Sequence, residues 1–95
     1  MPKARCADDV RRFTDIPNVG PATASDFERL GLRAPAELAR CDGLALYRRL
    51  CEIDGVRHDP CVIDVFLSAV DFMRGAPARP WWRYTAERKA LLAGG

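Results

Sequence analysis

The chain has 95 residues, a formal net charge of +2 at pH 7 and 48% hydrophobic residues, which is enough for one domain with one modest core and too little for two. No apolar run approaches the roughly 20 residues that a membrane-spanning helix requires, and residues 1–12 lack the apolar core of a signal peptide. We therefore expect one cytoplasmic domain over residues 1–95 with reduced cysteines. The net charge is +2 over residues 1–13, −4 over residues 14–73 and +4 over residues 74–95, so an anion-binding surface would use the chain ends or backbone amides.

Capping residues, prolines and glycines predict four helices in the first half of the chain. A side-chain acceptor precedes a helix start, proline suits the first helical turn, and glycine follows a helix end. Asp42 and Gly55 delimit one helix in this way, and Pro21 and Gly31 delimit another. The four predicted helices run from Asp8 or Asp9 to about Thr14, from Pro21 to Leu30, from Pro35 to Arg40, and from Asp42 to Asp54.

A long apolar helix is predicted in the second half of the chain. Asp59 can cap a helix that begins at Pro60 and ends before Gly75. Almost its whole circumference is apolar, so residues 60–74 should form the central buried helix. We expect its few polar residues to form a solvated or locally hydrogen-bonded stripe rather than a metal or acid–base site; they are Asp64, Ser68 and Asp71.

The basic, aromatic C-terminal segment over residues 76–92 completes the fold prediction. Residues 76–84 contain two prolines and should be extended, and Thr85 can cap a short last helix over residues 86–92. No convincing strand pattern occurs along the chain. The sequence therefore predicts an all-α domain, a compact fold of five to six helices with an extended Pro/Trp segment before the C-terminal helix.

The most informative stretch is Ile16–Ala24. Two helices must reverse direction there over about four residues, which requires a residue that tolerates positive φ, and Asn18 and Gly20 are of the usual types. Val19 would anchor the turn in the core. Gly20 would let the turn approach a foreign backbone closely, and the following helix offers free N–H groups and a partial positive charge, which together suit a phosphate.

This stretch resembles the turn of the helix-hairpin-helix family. In that family a leucine or isoleucine and a proline precede a Gly-hydrophobic-Gly turn, and an alanine follows four residues after the second glycine. The resemblance implies a motif over about residues 13–30 that contacts a DNA sugar-phosphate backbone without reading sequence, often with a monovalent cation at the turn. The matching residues are Ile16, Pro17, Val19, Gly20 and Ala24.

On this interpretation, phosphate would meet the amides of Gly20 and Ala22 and the Thr23 hydroxyl. Asn18 replaces the first glycine, and no Lys or Arg occurs from Gly20 to Glu28, where DNA-binding members often carry one. The alternative hypothesis is therefore that the hairpin only packs the fold or contacts a protein. The candidate nucleic-acid-binding residues are Asn18, Val19, Gly20, Ala22, Thr23, Arg48, Arg49, Arg79 and Arg83.

A longer resemblance covers the chain from about Val10 to Leu91. The residues at positions 46–52, 57–66, 77–82 and 84–89 look like a small bacterial family described as pathogenicity-locus (Cdd-type) or mitomycin-resistance-like helix-hairpin-helix proteins. The resemblance implies one all-α domain, a SAM-like helical bundle, and no activity is attached to the family.

The cysteines and the histidine offer two further hypotheses. Cys41, Cys51, His58 and Cys61 could in principle bind zinc, but only His58 and Cys61 form the tight pair that zinc modules show at each end, so we expect no metal there. Cys61 at a helix start could instead have a stabilised, reactive thiolate. We favour a buried and inert cysteine.

The C-terminal segment combines positive charge with aromatic rings, a pattern that suits stacking on unpaired bases or contact with a nucleic-acid groove. The alternative is that Trp81 and Trp82 clamp the segment over the core while the arginines reach water, and at least one tryptophan should be buried. The residues concerned are Arg79, Trp81, Trp82, Arg83, Tyr84, Arg88 and Lys89.

The favoured function is a non-enzymatic, sequence-independent DNA-binding module with no cofactor beyond the cation at the turn. The alternative is a protein-interaction or regulatory module, or a homodimer, in which the hairpin is only structural. An enzyme or redox sensor that acts through Cys61 is a third alternative. The position of charge discriminates between the first two, because arginines on the face of Gly20 favour DNA and an acidic face opposes it.

Overall fold

The computed structural model describes residues 2–94. These residues form four α-helices and four short 3₁₀ helices, without a strand, which confirms the predicted all-α class. The α-helices are α1 (Pro21–Arg29), α2 (Gly43–Asp54), α3 (Cys61–Met73) and α4 (Thr85–Ala93), and the 3₁₀ helices span Ala7–Asp9, Phe13–Asp15, Pro35–Arg40 and Trp81–Tyr84.

Helix α3 is the centre of the fold, as its apolar sequence predicts. Eight of its residues are buried, and the other helices pack around it. Asp59 caps it as expected, since its Oδ1 accepts the N–H of Cys61 at 2.8 Å. The rings of Phe13, Phe27 and Phe66 lie in series with centroids 5.3 Å and 5.1 Å apart. This aromatic series joins the 3₁₀ helix Phe13–Asp15 and α1 to α3.

The predicted N-terminal helix, which would end near Thr14, is wrong. Two 3₁₀ turns replace it, and extended backbone at Val10 (ψ 123°) and Arg12 (ψ 160°) separates them. The cause is Asp15, whose Oδ2 accepts the N–H groups of Arg11 and Arg12 at 2.9 Å each. A carboxylate that captures these donors competes with the helical pattern, in which they would bond carbonyls four residues earlier. The two N–H donors, that of Arg12 first, hold the pKa of Asp15 below its ordinary value.

The C-terminal segment corrects three predictions. Helical structure begins already at Trp81, because a 3₁₀ turn there continues directly into α4. Thr85 is consequently the first residue of α4 rather than its cap. Neither tryptophan is buried, since Trp81 is half-buried and Trp82 is 60% exposed. Tyr84 is the aromatic residue that anchors the segment in the core.

The polar stripe of α3 was expected to be solvated or locally hydrogen-bonded. Asp64 and Ser68 are buried, so the solvated alternative is wrong for these two residues, whereas Asp71 is partly exposed. Asp64 is fully buried, and its carboxylate accepts hydrogen bonds from Thr85 Oγ1 at 2.7 Å and from Arg88 Nε at 3.0 Å. The buried Ser68 hydroxyl donates locally, to the Val65 carbonyl at 2.7 Å. Asp64 therefore ties α4 to the central helix.

Each helix within residues 2–94 falls short of the length and apolarity that are required to cross a bilayer.

Candidate nucleic-acid interface

The backbone between Ile16 and Pro21 forms the tight turn that its residue types indicate. Asn18 has φ +73°, the left-handed conformation that asparagine tolerates. The side chain of Val19 is fully buried and closes the turn onto the core, and its N–H donates to the Ile16 carbonyl at 3.1 Å. The predicted positive φ and the predicted apolar anchor are both confirmed. The predicted reversal between two helices is wrong, because only the three-residue 3₁₀ helix Phe13–Asp15 precedes the turn.

The start of α1 is open to an external anion. Gly20 is the N-cap residue, and none of the side chains in residues 2–94 caps the helix there. The first intrahelical bond runs from the Ala24 N–H to the Gly20 carbonyl at 2.9 Å, which leaves the amides of Ala22 and Thr23 ahead of the hydrogen-bond ladder. A Cβ on Gly20 would meet no described atom within 4 Å. The surface at Gly20 is thus unobstructed.

The start of α2 is closed by contrast. Asp42 Oδ1 accepts the N–H of Leu44 at 2.9 Å and that of Ala45 at 3.5 Å. The carboxylate satisfies the donors that an external anion would need, and its charge would repel a phosphate. The N-terminus of α1 therefore has backbone N–H groups available to an external anion, and the N-terminus of α2 does not.

Two of the predicted contact residues are occupied within the fold. Asn18 Nδ2 donates to the Arg79 carbonyl at 2.7 Å and to Ser68 Oγ at 3.3 Å. Val19 has a buried side chain, and its carbonyl accepts a hydrogen bond from Lys3. The remaining turn residues proposed from the sequence have groups at the open helix start: Gly20, Ala22 and Thr23.

A basic groove of about 330 Å³ runs along one side of α1. Its charged lining is Arg11, Arg12 and Arg33 against the single carboxylate of Glu28. Ala24 also lines the groove, and it lies about 6 Å along the helix axis from Gly20 at 1.5 Å per residue. These arginines were not among the predicted contact residues, because they come from segments before and after the predicted motif. The positive charge of residues 1–13 was the only signal for two of them.

A second basic surface borders the turn itself. Arg79 lines a groove of about 340 Å³ together with Pro17 and Asn18 of the turn. Arg83 shares the adjoining groove with Arg79. Of the four arginines that were predicted to assist the turn, Arg79 therefore lies beside it, and Arg83 lines the next groove along the C-terminal segment.

The other basic candidates lie elsewhere. Arg48 and Arg49 are exposed on α2, which is tied to α1 near the C-terminal ends of both helices by the ion pair between Arg29 and Asp54. Arg88 is committed to the buried carboxylate of α3 and is only 14% exposed. The grooves at the turn are lined by none of these three described arginines.

The acidic residues of α1 are partly balanced by arginines. Asp26 is paired with Arg29 at 3.2 Å, and Glu28 lies in the groove lined by three arginines. Thr23, however, lines a groove with the carboxylates of Asp26 and Asp59 and without a basic side chain. The surroundings of the turn are therefore basic where Arg11, Arg12, Arg33 and Arg79 lie and acidic beside Thr23.

Lys3 occupies the inside of the turn. Its Nζ donates to the Thr14 carbonyl at 2.5 Å and to the Val19 carbonyl at 2.6 Å. Main-chain carbonyls of this kind would also bind the monovalent cation that the helix-hairpin-helix resemblance implies. With the ammonium in place, these two oxygens do not fit an additional cation, since like charges would be held at hydrogen-bond distance. The turn carries its own cation on a side chain.

Replacing Lys3 with methionine should lower the free energy of unfolding by about 1 kcal/mol, because a charge-assisted hydrogen bond at a partly exposed site is lost. The variant should also become more stable in KCl than in choline chloride at equal ionic strength, whereas the wild type should not. Thermal denaturation in the two salts measures both effects. Arg5→Met removes one charge from the same segment and serves as the control. Equal potassium dependence of wild type and Lys3→Met would contradict this role.

The cysteines and the histidine do not assemble into a metal site. Within residues 2–94, no three His, Cys, Asp or Glu side chains are arranged to hold a metal ion. Cys51 Sγ instead accepts the N–H of His58 at 3.4 Å, and His58 Nε2 lies 2.7 Å from Asp54 Oδ2. Cys41 lies beside Glu37, and burial raises the pKa of its thiol.

The Cys61 thiol is not activated by its helix start. A hydrogen bond to Asp59, then burial and the charges of Asp59 and Asp64, raise the pKa of Cys61. The N-terminal amide that would stabilise a thiolate is already bonded to Asp59. The local electrostatics therefore disfavour a thiolate at Cys61. The expectation of a buried cysteine is wrong, because Cys61 is partly exposed.

Comparison with known proteins agrees with the longer resemblance, to pathogenicity-locus and mitomycin-resistance-like proteins. The model of the family described as "Pathogenicity locus" (Cdd1) matches residues 6–90. Mitomycin resistance protein McrB from Streptomyces lavendulae is 50% identical over 82 residues, which cover 86% of this chain and 78% of that protein. No solved structure matches the chain. The match over nearly the whole chain establishes that this protein belongs to the pathogenicity locus (Cdd1) family.

Proposed function

We propose that this chain is a non-enzymatic nucleic-acid-binding module that contacts the sugar-phosphate backbone without reading base sequence. The observation that carries the proposal is the open start of α1. Gly20 leaves room there for a foreign backbone, and the amides of Ala22 and Thr23 remain available to phosphate oxygens. The helix dipole adds a partial positive charge at the same place.

The arginines around the turn support the proposal, because phosphate contact usually dominates affinity and needs positive charge. Helix α1 lacks a basic residue near its start, but the basic groove supplies Arg11, Arg12 and Arg33, and the turn groove adds Arg79. A strand whose phosphate lies at Gly20 could place its neighbouring phosphates against these groups. The contacts would be the same for every base sequence.

The cellular role follows from the family at a coarse level. The description of the family is "Pathogenicity locus", and the relative with 50% identity is named a mitomycin resistance protein. We propose that this chain serves a similar resistance-associated or pathogenicity-associated role through nucleic-acid binding.

Fluorescence anisotropy of labelled single-stranded, duplex and branched DNA, at two salt concentrations, tests the proposal. We expect micromolar binding that weakens as salt rises and that disappears in Gly20→Glu, whose carboxylate would occupy the anion site. Gly20→Ala should fold normally and bind more weakly, because its methyl group hinders close approach. The absence of binding to every form at low salt, by a protein that circular dichroism shows to be folded, would refute the proposal.

A charge-matched pair of double variants locates the interface. Arg11→Ser with Arg12→Ser should reduce the slope of log affinity against log salt by about 2, one unit for each lost phosphate contact. Arg48→Ser with Arg49→Ser removes the same charge from α2 and should leave the slope unchanged. Equal effects of the two double variants would show only a nonspecific response to net charge.

A protein partner is the second candidate function, and one observation favours it. Ile53, near the end of α2, and Val56, just after it, are 47% and 55% exposed, and exposed apolar surface can serve as a protein contact. Ile53→Ser with Val56→Ser should leave DNA affinity unchanged under the first proposal. A self-association measured by sedimentation and lost in this double variant would support the second.

A further inference from the structure

Trp82 is the most exposed large hydrophobic side chain in residues 2–94, at 60%. It lies at the hairpin turn and not on a remote surface. The groove of about 340 Å³ that it lines is formed by Pro17 and Asn18 on one side and by Pro80 and Arg79 on the other. Trp82 therefore borders the same turn that leads into the open start of α1.

The fold holds this groove in place from several directions. The Asn18 amide donates to the Arg79 carbonyl at 2.7 Å, which fastens the C-terminal segment to the turn. The Arg83 N–H donates to the Pro80 carbonyl at 3.0 Å, and Tyr84 is buried directly after it. A proline with fixed φ precedes the aromatic pair. The exposed indole is thus mounted on a constrained segment.

Trp81 does not cover Trp82. The two ring planes are nearly perpendicular, at 84°, with centroids 5.8 Å apart. The edge-to-face arrangement supports the Trp82 ring and leaves most of it in contact with solvent. Arg79 and Arg83 line the adjoining groove, so a flat apolar surface and two positive charges lie side by side.

A nucleotide has the matching chemistry, because its base is planar and apolar on both faces and its phosphate is anionic. Paired bases inside a duplex do not expose these faces, whereas unpaired bases do. Aromatic side chains next to basic residues are the common arrangement for binding single strands without sequence preference.

We propose that Trp82 stacks on an unpaired nucleobase of the strand whose phosphate lies at the start of α1, so that the preferred ligand is a nucleic-acid strand with unpaired bases. The inference rests on the proposed function, and it adds the form of nucleic acid and the residue that selects it. The turn at Gly20 and the arginines bind the sugar-phosphate backbone of the ligand, and Trp82 stacks only on a base that is unpaired.

The test compares oligothymidine with an abasic oligomer of equal length, which carries the same phosphates without bases. Trp82→Ala should weaken binding of oligothymidine roughly tenfold, as expected for loss of one base–aromatic stack, and should leave the abasic affinity unchanged. Trp82→Phe should retain most of the oligothymidine affinity. Ile53→Ala truncates another exposed apolar side chain and is the matched control.

Fluorescence supplies an independent readout. In Trp81→Phe, Trp82 is the single tryptophan of the chain, and its emission should be quenched by oligothymidine and not by the abasic oligomer. If Trp82→Ala leaves oligothymidine binding intact while Gly20→Glu abolishes it, the stacking inference fails and the proposed function stands. If neither oligomer nor duplex binds the wild type at low salt, both fail.

Discussion

Asp64→Ala should lower the free energy of unfolding by about 2–3 kcal/mol, because it removes the hydrogen bonds that a buried carboxylate accepts from a hydroxyl and from a guanidinium. Asp64 is fully buried, and its two oxygens accept from Thr85 and Arg88. None of the described residues of α4 is buried. The helix therefore has little apolar attachment of its own, and the carboxylate is its main anchor.

Urea denaturation measures the loss, and limited trypsin digestion at Lys89 reports whether α4 has detached. Glu87→Ala removes a carboxylate from the exposed side of the same helix and should change stability by less than about 0.5 kcal/mol. A double-mutant cycle of Asp64→Asn with Arg88→Met isolates the pairwise interaction. Additive effects in that cycle, or equal effects of Asp64→Ala and Glu87→Ala, would contradict the anchor.

Gly43→Ala should cost about 1–3 kcal/mol, the usual penalty for forcing an extra group into a filled core. A Cβ on Gly43 would lie 3.0 Å from both the backbone N and Cδ2 of Leu67, and 3.2 Å from its Cα. The side-chain atom could move, but the two backbone atoms belong to the central helix. α2 and α3 would have to separate by a few tenths of an ångström.

Gly20→Ala is the matched control for this prediction, because the same methyl group would meet open space there. Its effect on stability should be near zero, since reduced freedom of the unfolded chain offsets a weaker N-cap. Thermal and urea denaturation of the two variants provide the comparison. A similar loss of stability in both variants, or no loss of stability in Gly43→Ala, would mean that the contact between α2 and α3 is looser than the geometry indicates.

Local sequence signals determined the three α-helices that build the core. Proline at the start of α1, the Asp42 cap of α2 and the Asp59 cap of α3 act within a few residues of themselves, so each could be interpreted without knowledge of the fold. The conformation of Asn18 and the buried anchor Val19 were predictable for the same reason.

Errors occurred where a long-range or competing contact decided the outcome. The N-terminal helix fails because the Asp15 carboxylate takes the N–H groups that helix formation would use. Asp64 of α3 is buried and not solvated because Thr85 and Arg88, more than twenty residues later in the chain, donate hydrogen bonds to its carboxylate. The sequence pattern of α3 gives no information about Thr85 and Arg88, because both lie outside the helix.

The candidate site shows the same contrast between features set by local sequence and features set by long-range contacts. The sequence by itself determined an all-α domain and a turn whose glycine precedes an uncapped helix, because these depend on residue type and on neighbours within one helical turn. Only the tertiary structure decided where the positive charge lies. Lys3, Arg11, Arg33 and Arg79 reach the hairpin from segments before and after it, because packing around a central helix brings together groups that no local pattern connects.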